Sequence, residues 1–380
     1  MAAAQQTLCP ARRLPPHSMA RSTPAPAPTA PTTPLRWTPS DSPGLRREGP
    51  PGRFRYRLPD DRLLRAGPEL ARIRALAIPP AWQSVWISAD PRAHLQATGR
   101  DPRGRKQYLY HPAWRQQRSE HKFAQLLDFG RGLPRLRTRL RRSLETGSTP
   151  TRARVLAALV QLLDCSWMRI GNDSYARENG SYGLSTLRCR HLRLQGEALH
   201  LRFIGKTGVA HHVSLSDARL AALVRHCREL PGDELFQYLD DAGHVHRVSS
   251  ADVNAWLLEQ LGPGMTAKVF RTWHGSVLAL DLVLAAALQD QAPDVPALVR
   301  QVARRLGNTP AVCRASSLHP AVQALAAELA DPARRQAPRR EPWLQVPRRR
   351  GLSQTEARLM AMLAAARPGP AAAPRARTTA

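Results

Sequence analysis

Of the 57 lysine and arginine residues in this chain, four are lysine: Lys106, Lys122, Lys206 and Lys268. Where arginine fills almost every basic position, each lysine is a candidate for work a guanidinium cannot do, because an ammonium can give up a proton in chemistry. Lys206 lies in Leu201-Arg-Phe-Ile-Gly-Lys-Thr-Gly208, which reads as strand, tight turn, strand. It follows the stretch Trp167 to Arg188, which begins on a helical pattern with Arg169, turns at Asn179-Gly180 and continues extended. Arg169 and Lys206 thereby fall in one compact unit. A second group, Gln107, Tyr108 and Tyr110, follows two cations in Arg105-Lys-Gln-Tyr-Leu-Tyr-His-Pro112. Tyr108 and Tyr110 share one strand face. Glutamine can bond adenine through both amide atoms, and tyrosine can stack or reach phosphate. An amphipathic strand with packed tyrosines accounts for the same pattern.

The net charge of +28 over 380 residues favours polyanionic partners, nucleic acid before anionic membrane surfaces. Part of the arginine and alanine bias can arise from genome base composition alone. The five cysteines (Cys9, Cys165, Cys189, Cys227, Cys313) form no C-x-x-C pair, which argues for reduced thiols in a cytosolic compartment. His211, His212, His244 and His246 are not at metal-ligand spacing and read as exposed loop residues, so no metal is expected. No long uncharged apolar run predicts a membrane span, and no signal-peptide core is present. Met19 is a second candidate start.

The elements that position these groups follow from periodicity. Residues 1–50 are rich in Pro, Ala, Thr and Arg and predict a basic disordered arm. Strands are predicted at Phe54–Leu58, Val85–Ser88, His94–Gly99 and Gly104–Pro112, with a short helix at Glu69–Leu76. Helices are predicted at Ser119–Phe129, Pro134–Leu144 and Thr151–Met168. A three-stranded sheet follows (Leu187–Leu194, Ala198–Ile204, Ala210–Leu215), then helices at Asp217–Glu229, Ser249–Leu261, Arg271–Leu288 and Val295–Arg305. The expected fold class is α+β: a small β-rich domain over 51–118, then a mainly helical domain carrying a small three-stranded sheet over 119–335. A basic, mostly disordered tail over 336–380 holds one helical patch, Ser353 to Arg367.

Six motifs stand in order along the chain: Gly104-Arg-Lys-Gln-Tyr-Leu-Tyr-His-Pro112, Met168-Arg-Ile-Gly-Asn172, Tyr182-Gly-Leu-Ser-Thr-Leu-Arg188, Phe203-Ile-Gly-Lys206, Phe270-Arg-Thr-Trp273 and Leu306-Gly-Asn-Thr-Pro-Ala-Val-Cys-Arg314. With these residues the chain, from about Arg53 to Ala330, resembles the type IB DNA topoisomerases, in particular the compact poxvirus-like enzymes found in bacteria. The resemblance implies a protein that breaks one DNA strand through a 3′-phosphotyrosyl link, lets the duplex rotate and reseals it, with no ATP, metal or other cofactor. It implies Arg169 and Arg271 as clamps on the phosphate, Lys206 as the general acid that protonates the departing 5′-oxygen, and Asn308 as a donor to a non-bridging oxygen. Gln107, Tyr108, Tyr110 and Tyr175 match DNA-contacting positions. Double-stranded DNA held by a monomeric clamp, in the cytoplasm and on the nucleoid, is the expected setting, with no membrane partner.

The departure from the family pattern is at its nucleophile. The family tyrosine is expected at position 317, but the run here is Arg314-Ala-Ser-Ser-Leu-His-Pro320, so Ser317 stands there. The six tyrosines (Tyr56, Tyr108, Tyr110, Tyr175, Tyr182, Tyr238) all precede this region. Val269 replaces an acidic residue usual before Phe-Arg-Thr-Trp and removes an arginine's partner. His274 replaces a small residue usual after it and is expected to crowd the site. Two main readings remain open: a topoisomerase that relaxes supercoils, opposed by Ser317, and a DNA-binding paralogue that keeps the phosphate pocket but does not cleave. Tyrosine recombinases share the catalytic domain but also need the missing tyrosine.

Overall fold

The computed structural model describes residues 34–145, 147, 149–334 and 341–366. It divides into two units, one ending at Gln116 and the other beginning at Gln117. The first unit carries an antiparallel sheet of β1 (Gly44–Glu48), β2 (Arg55–Arg57), β3 (Leu63–Leu64), β4 (Gln83–Ser88), β5 (Leu95–Arg100) and β6 (Lys106–Tyr110), in the order β3-β2-β1-β4-β5-β6. Helix α1 (Pro68–Ala75) lies between β3 and β4 in sequence and buries Ile73 with Leu45, Val85, Ile87 and Ala97.

Strand β1 lies within the stretch 1–50 that composition predicted to be a disordered arm, and the expectation is corrected there. Leu45 is 1% exposed and pairs with Ile87, while Arg36 exchanges backbone hydrogen bonds with Arg92 and His94. A strand whose other members are charged or small shows no alternation by itself; its stability comes from the two neighbours that satisfy its backbone groups. Residues 1–33 of that predicted arm lie outside the described residues.

The second unit takes in all but the first residues of α2 (Pro112–Glu145), then α3 (Arg152–Ser166) and α4 (Asp173–Asn179). The three-stranded sheet follows as β7 (Leu192–Gln195), β8 (Ala198–Ile204) and β9 (Ala210–Ser216), in that order and antiparallel. Next come α5 (Ala218–Glu229), a hairpin of β10 (Gln237–Leu239) and β11 (Val245–Arg247), and α6 (Ser250–Leu261). The unit closes with α7 (Ala267–Leu288), α8 (Val295–Leu306), α9 (Pro310–Ser316), α10 (Pro320–Glu328) and α11 (Gln354–Ala365). The small β-rich unit and the helical unit with its three-stranded sheet are the α+β class expected.

Three local expectations change. The helices predicted on either side of Pro134 are one helix, because Phe129, Leu133, Leu136 and Leu140 all bury into the core and packing outweighs the one backbone bond that proline removes. The first predicted strand of the small sheet begins late, at Leu192. Residues Cys189–His191 form a 3-10 turn closed by the Arg188 amide donating to His191 Nδ1. Helix α7 is long and apolar enough by length and composition to cross a membrane, but it is mostly buried: Phe270 and Trp273 are fully enclosed against Phe129.

The predicted disordered tail also folds in part. Helix α11 buries Leu359, Met360 and Leu363, and its N-terminal turn carries Glu356, 4% exposed. Arg137 of α2 bonds both Glu356 oxygens and both Asp164 oxygens at 2.7–3.0 Å. Trp273 Nε1 donates to Glu356, and His274 Nε2 lies 3.0 Å from Asp164. This is the helical patch expected at Ser353 to Arg367; composition masks only its docking, because its anchor is a buried charge whose partner lies some 220 residues away. Residues 335–340 and 367–380 lie outside the described residues.

These carboxylates couple the fold to pH. Burial pushes Asp164 up, but hydrogen bonds from His274 and Arg137 outweigh it and hold the group at about 2. Burial opposes and Arg137 again depresses Glu356. Asp164 thus lies below the ordinary carboxylate range of about 3.9–4.3, and Glu356 is shifted in the same direction. The stabilisation is therefore present in full above that range and is lost as pH falls from about 4 towards 2. Thermal midpoints measured across this window should drop steeply, and Glu356→Gln should flatten the drop. A wild-type midpoint constant down to pH 2.5 would contradict this coupling.

Candidate phosphate-binding site

Arg169 follows the end of α3. Trp167 adopts a left-handed conformation (φ 62°) and closes that helix, turning the chain so that residues 169–170 run beside 183–185. Leu184 donates to the Arg169 carbonyl and Ser185 to the Ile170 carbonyl, at 2.9 and 2.7 Å. The two segments approach so closely that a Cβ on Gly183 would lie 2.5 Å from the Gly171 nitrogen, and Gly171 itself has φ 104°. This is the structural reason for glycine in both motifs.

Arg271 lies in the second turn of α7 and is 6% exposed. Its guanidinium donates to the carbonyls of Trp167 and Leu306, near the C-terminal ends of α3 and α8, where the helix dipoles favour a cation. Gly307 (φ 60°) caps α8 and turns the chain back, which delivers Asn308 to the same place. The Asn308 oxygen accepts from both Arg169 and Arg271, and its amide nitrogen lies 3.4 Å from Ser317 Oγ. Four of the sequence-predicted residues, from four different places in the chain, thus meet at one carboxamide.

Among the described residues, neither Arg169 nor Arg271 has a carboxylate partner. Burial lowers Arg169; burial and then the Arg169 charge push Arg271 down to about 9, so both stay cationic at neutral pH. Two desolvated guanidiniums sharing one neutral oxygen make a strong site for an oxyanion. Among the described residues no group of three or more metal-ligating side chains exists.

Ser317 caps the C-terminus of α9 and is 5% exposed. Its segment is held from several sides. Lys122 Nζ donates to the Ser316 carbonyl at 2.8 Å, Thr272 Oγ1 approaches the same oxygen, and the His319 amide donates to Ser276 Oγ. Burial and then Lys268 push Lys122 down to about 8. Lys206 is exposed on the turn between β8 and β9, where Thr207 has φ 63°.

His211 corrects the reading of it as an exposed loop residue. It lies on β9 opposite Phe203, stacks on that ring at 5.0 Å, and fills the space over both Gly205 and Gly307. Its ring therefore spans the Lys206 turn and the Asn308 turn. Burial, then the charges of Arg271, Arg169 and His212, lower its pKa. The pairing register of the two strands was the available signal. His244 and His246 are exposed and bond Asp240 within the β10–β11 hairpin. The expectation that His274 crowds the site is corrected: it turns to Asp164 and stacks on Trp167 at 5.2 Å, so it supports the residue whose carbonyl anchors Arg271. Val269 packs into the core, 7% exposed.

In the first unit, Tyr108 and Tyr110 stack along one face of β6, an edge strand, with centroids 6.1 Å apart. Gln107 points to the other face, where its amide donates to Asp101. Tyr175, 47% exposed, belongs to α4, in the second unit.

Residues 111–337 match the family model described as the catalytic core of eukaryotic DNA topoisomerase I, and 53–101 match the N-terminal domain of bacterial DNA topoisomerase IB. The chain belongs to the type IB DNA topoisomerase family. It is 33% identical to DNA topoisomerase 1B of Acanthamoeba polyphaga mimivirus over 248 residues, covering 64% of this chain and 73% of that protein. It is 25% identical to the DNA topoisomerase I of monkeypox virus over 130 residues, 34% of this chain and 40% of the viral protein. Membership in the topoisomerase IB family implies DNA binding, and every residue of the Arg169–Arg271–Asn308–Ser317 cluster lies within the matched catalytic core.

Proposed function

We propose that this protein binds duplex DNA as a monomeric clamp and seats one backbone phosphate on Arg169, Arg271 and Asn308, with Lys206 beside the leaving oxygen, but does not cleave by the family's tyrosine route. Ser317 takes the place of the nucleophile. Gln107, Tyr108, Tyr110 and Tyr175 contact the DNA, and the protein works in the cytoplasm on the nucleoid. The observation that carries this reading is the one carboxamide shared by the buried Arg271 guanidinium, the half-buried Arg169 guanidinium and the Ser317 hydroxyl. The anion pocket is complete, while the hydroxyl at the nucleophile position is an amide's partner rather than an activated group. A serine hydroxyl is a much weaker acid than a phenol of pKa about 10 and stops several ångströms short of its reach. Supercoil relaxation is the alternative that the family favours.

Binding should be dominated by phosphate contacts. For on the order of six to ten of them, affinity for a duplex should fall about 10³-fold or more between 50 and 200 mM salt. Fluorescence anisotropy across that range measures the slope. A nearly salt-independent affinity, or relaxation of supercoiled plasmid by the unmodified protein, would overturn the reading.

A further inference from the structure

We propose that the pocket selects a terminal phosphomonoester, the phosphate end of a nicked or broken DNA strand, over the phosphodiester of an intact strand. This rests on the DNA-binding reading above and concerns what that site prefers.

Charge is the first ground. Arg169 and Arg271 share a single neutral acceptor, the Asn308 oxygen, and among the described residues no carboxylate pairs with either. Arg271 is 6% exposed, so its charge is poorly served by water. A diester offers this pair one negative charge. A monoester at neutral pH offers about 1.5 to 2 and three terminal oxygens. A desolvated dication gains more from the second species.

Donor geometry is the second ground. The Asn308 oxygen marks where an oxyanion can be held by both guanidiniums. A half-turn of that carboxamide would present its N–H to the same anion, with the Ser317 O–H alongside as another donor, since Asn308 Nδ2 and Ser317 Oγ are 3.4 Å apart. A diester and a monoester both place four oxygens on phosphorus, but in the monoester the oxygen that would bridge to the next nucleotide is terminal, carries charge and can accept a further hydrogen bond. The Ser317 hydroxyl, 3.4 Å from Asn308 Nδ2, is a donor beside the pocket for such an acceptor.

The test uses the full chain and one duplex in four forms: intact, nicked with hydroxyls on both sides, nicked with a 3′-phosphate, and nicked with a 5′-phosphate. Anisotropy at a single salt concentration gives the affinities. One of the two phosphate ends should bind about tenfold tighter than the hydroxyl nick, the effect of one added charge-assisted hydrogen bond. The two phosphate arms show which end is recognised. The ratio should fall towards one in Ser317→Ala, which removes the hydroxyl donor, and in Arg169→Gln. Ratios near one for both phosphate ends in the unmodified protein would overturn the inference while leaving DNA binding intact. A preference unchanged in Arg169→Gln would also overturn it, by placing recognition outside the pocket. Failure to bind any of the four duplexes would overturn the DNA-binding reading and this inference with it.

Discussion

Ser317→Tyr is expected to give a protein that relaxes supercoiled plasmid without ATP or magnesium, where the unmodified protein gives no detectable relaxation. The anion pocket needs no rebuilding for this. Arg169 and Arg271 already converge on Asn308, and Asn308 Nδ2 already faces the side chain at 317. The 317 side chain therefore leaves the backbone in the direction of the pocket, and the Ser316–His319 segment that aims it is held by Lys122, Thr272 and Ser276. What serine lacks is reach and acidity. A misplacement of about 1 Å can cost about 100-fold in rate, and the shortfall of a serine is several times that. The gain should thus exceed about 100-fold in a plasmid assay resolved on a gel, with a covalent protein–DNA adduct trapped by denaturant. Relaxation by the unmodified protein would show that another nucleophile acts. Relaxation by neither would mean that a phosphate does not sit where the two arginines meet.

Arg137→Ala should be the most destabilising single change in the second unit, by about 3–5 kcal/mol. Arg137 bonds both oxygens of Asp164 and both of Glu356, whose side chains are 8% and 5% exposed. Removing the guanidinium leaves two buried carboxylates without their cation, which is far worse than never having buried them. Three helices, α2, α3 and α11, lose a common anchor. The effect should also reach the pocket, because Asp164 holds His274, His274 stacks on Trp167, and the Trp167 carbonyl holds Arg271. Urea unfolding at pH 7 gives the stability, and duplex affinity in the same buffer gives the second effect. A loss below about 1 kcal/mol would show that the network contributes little and that α11 is held by Leu359, Met360 and Leu363 alone.

Much of the site was legible in residue types and order. Arg169, Lys206, Arg271, Asn308 and Ser317 could be singled out because arginine, lysine and a carboxamide suit phosphate chemistry and recur in six ordered motifs. The glycines of Arg-Ile-Gly-Asn and Tyr-Gly-Leu-Ser-Thr-Leu were visible, but not that Gly183 and Gly171 press against each other to set Arg169 in place. His211 and His274 were misjudged because a histidine's role depends on what faces it. One spans two turns of the site from a strand, and the other supports Trp167 from inside a helix.

The sequence by itself determined the family, the α+β class, the basic character and the chemistry available at each motif, since these depend on residue identity, periodicity and interval. Only the tertiary structure decided that the guanidiniums of Arg169 and Arg271 share the Asn308 oxygen, that Ser317 lies against the same carboxamide, and that β1 and α11 belong to folded units. The physical reason is common to all of them. Each depends on a partner distant in the chain: Ile87 for Leu45, Arg137 for Glu356, Asn308 for Arg169. Local composition reports what a segment could do alone, whereas burial of a charge or of a single leucine is stable only when that partner arrives.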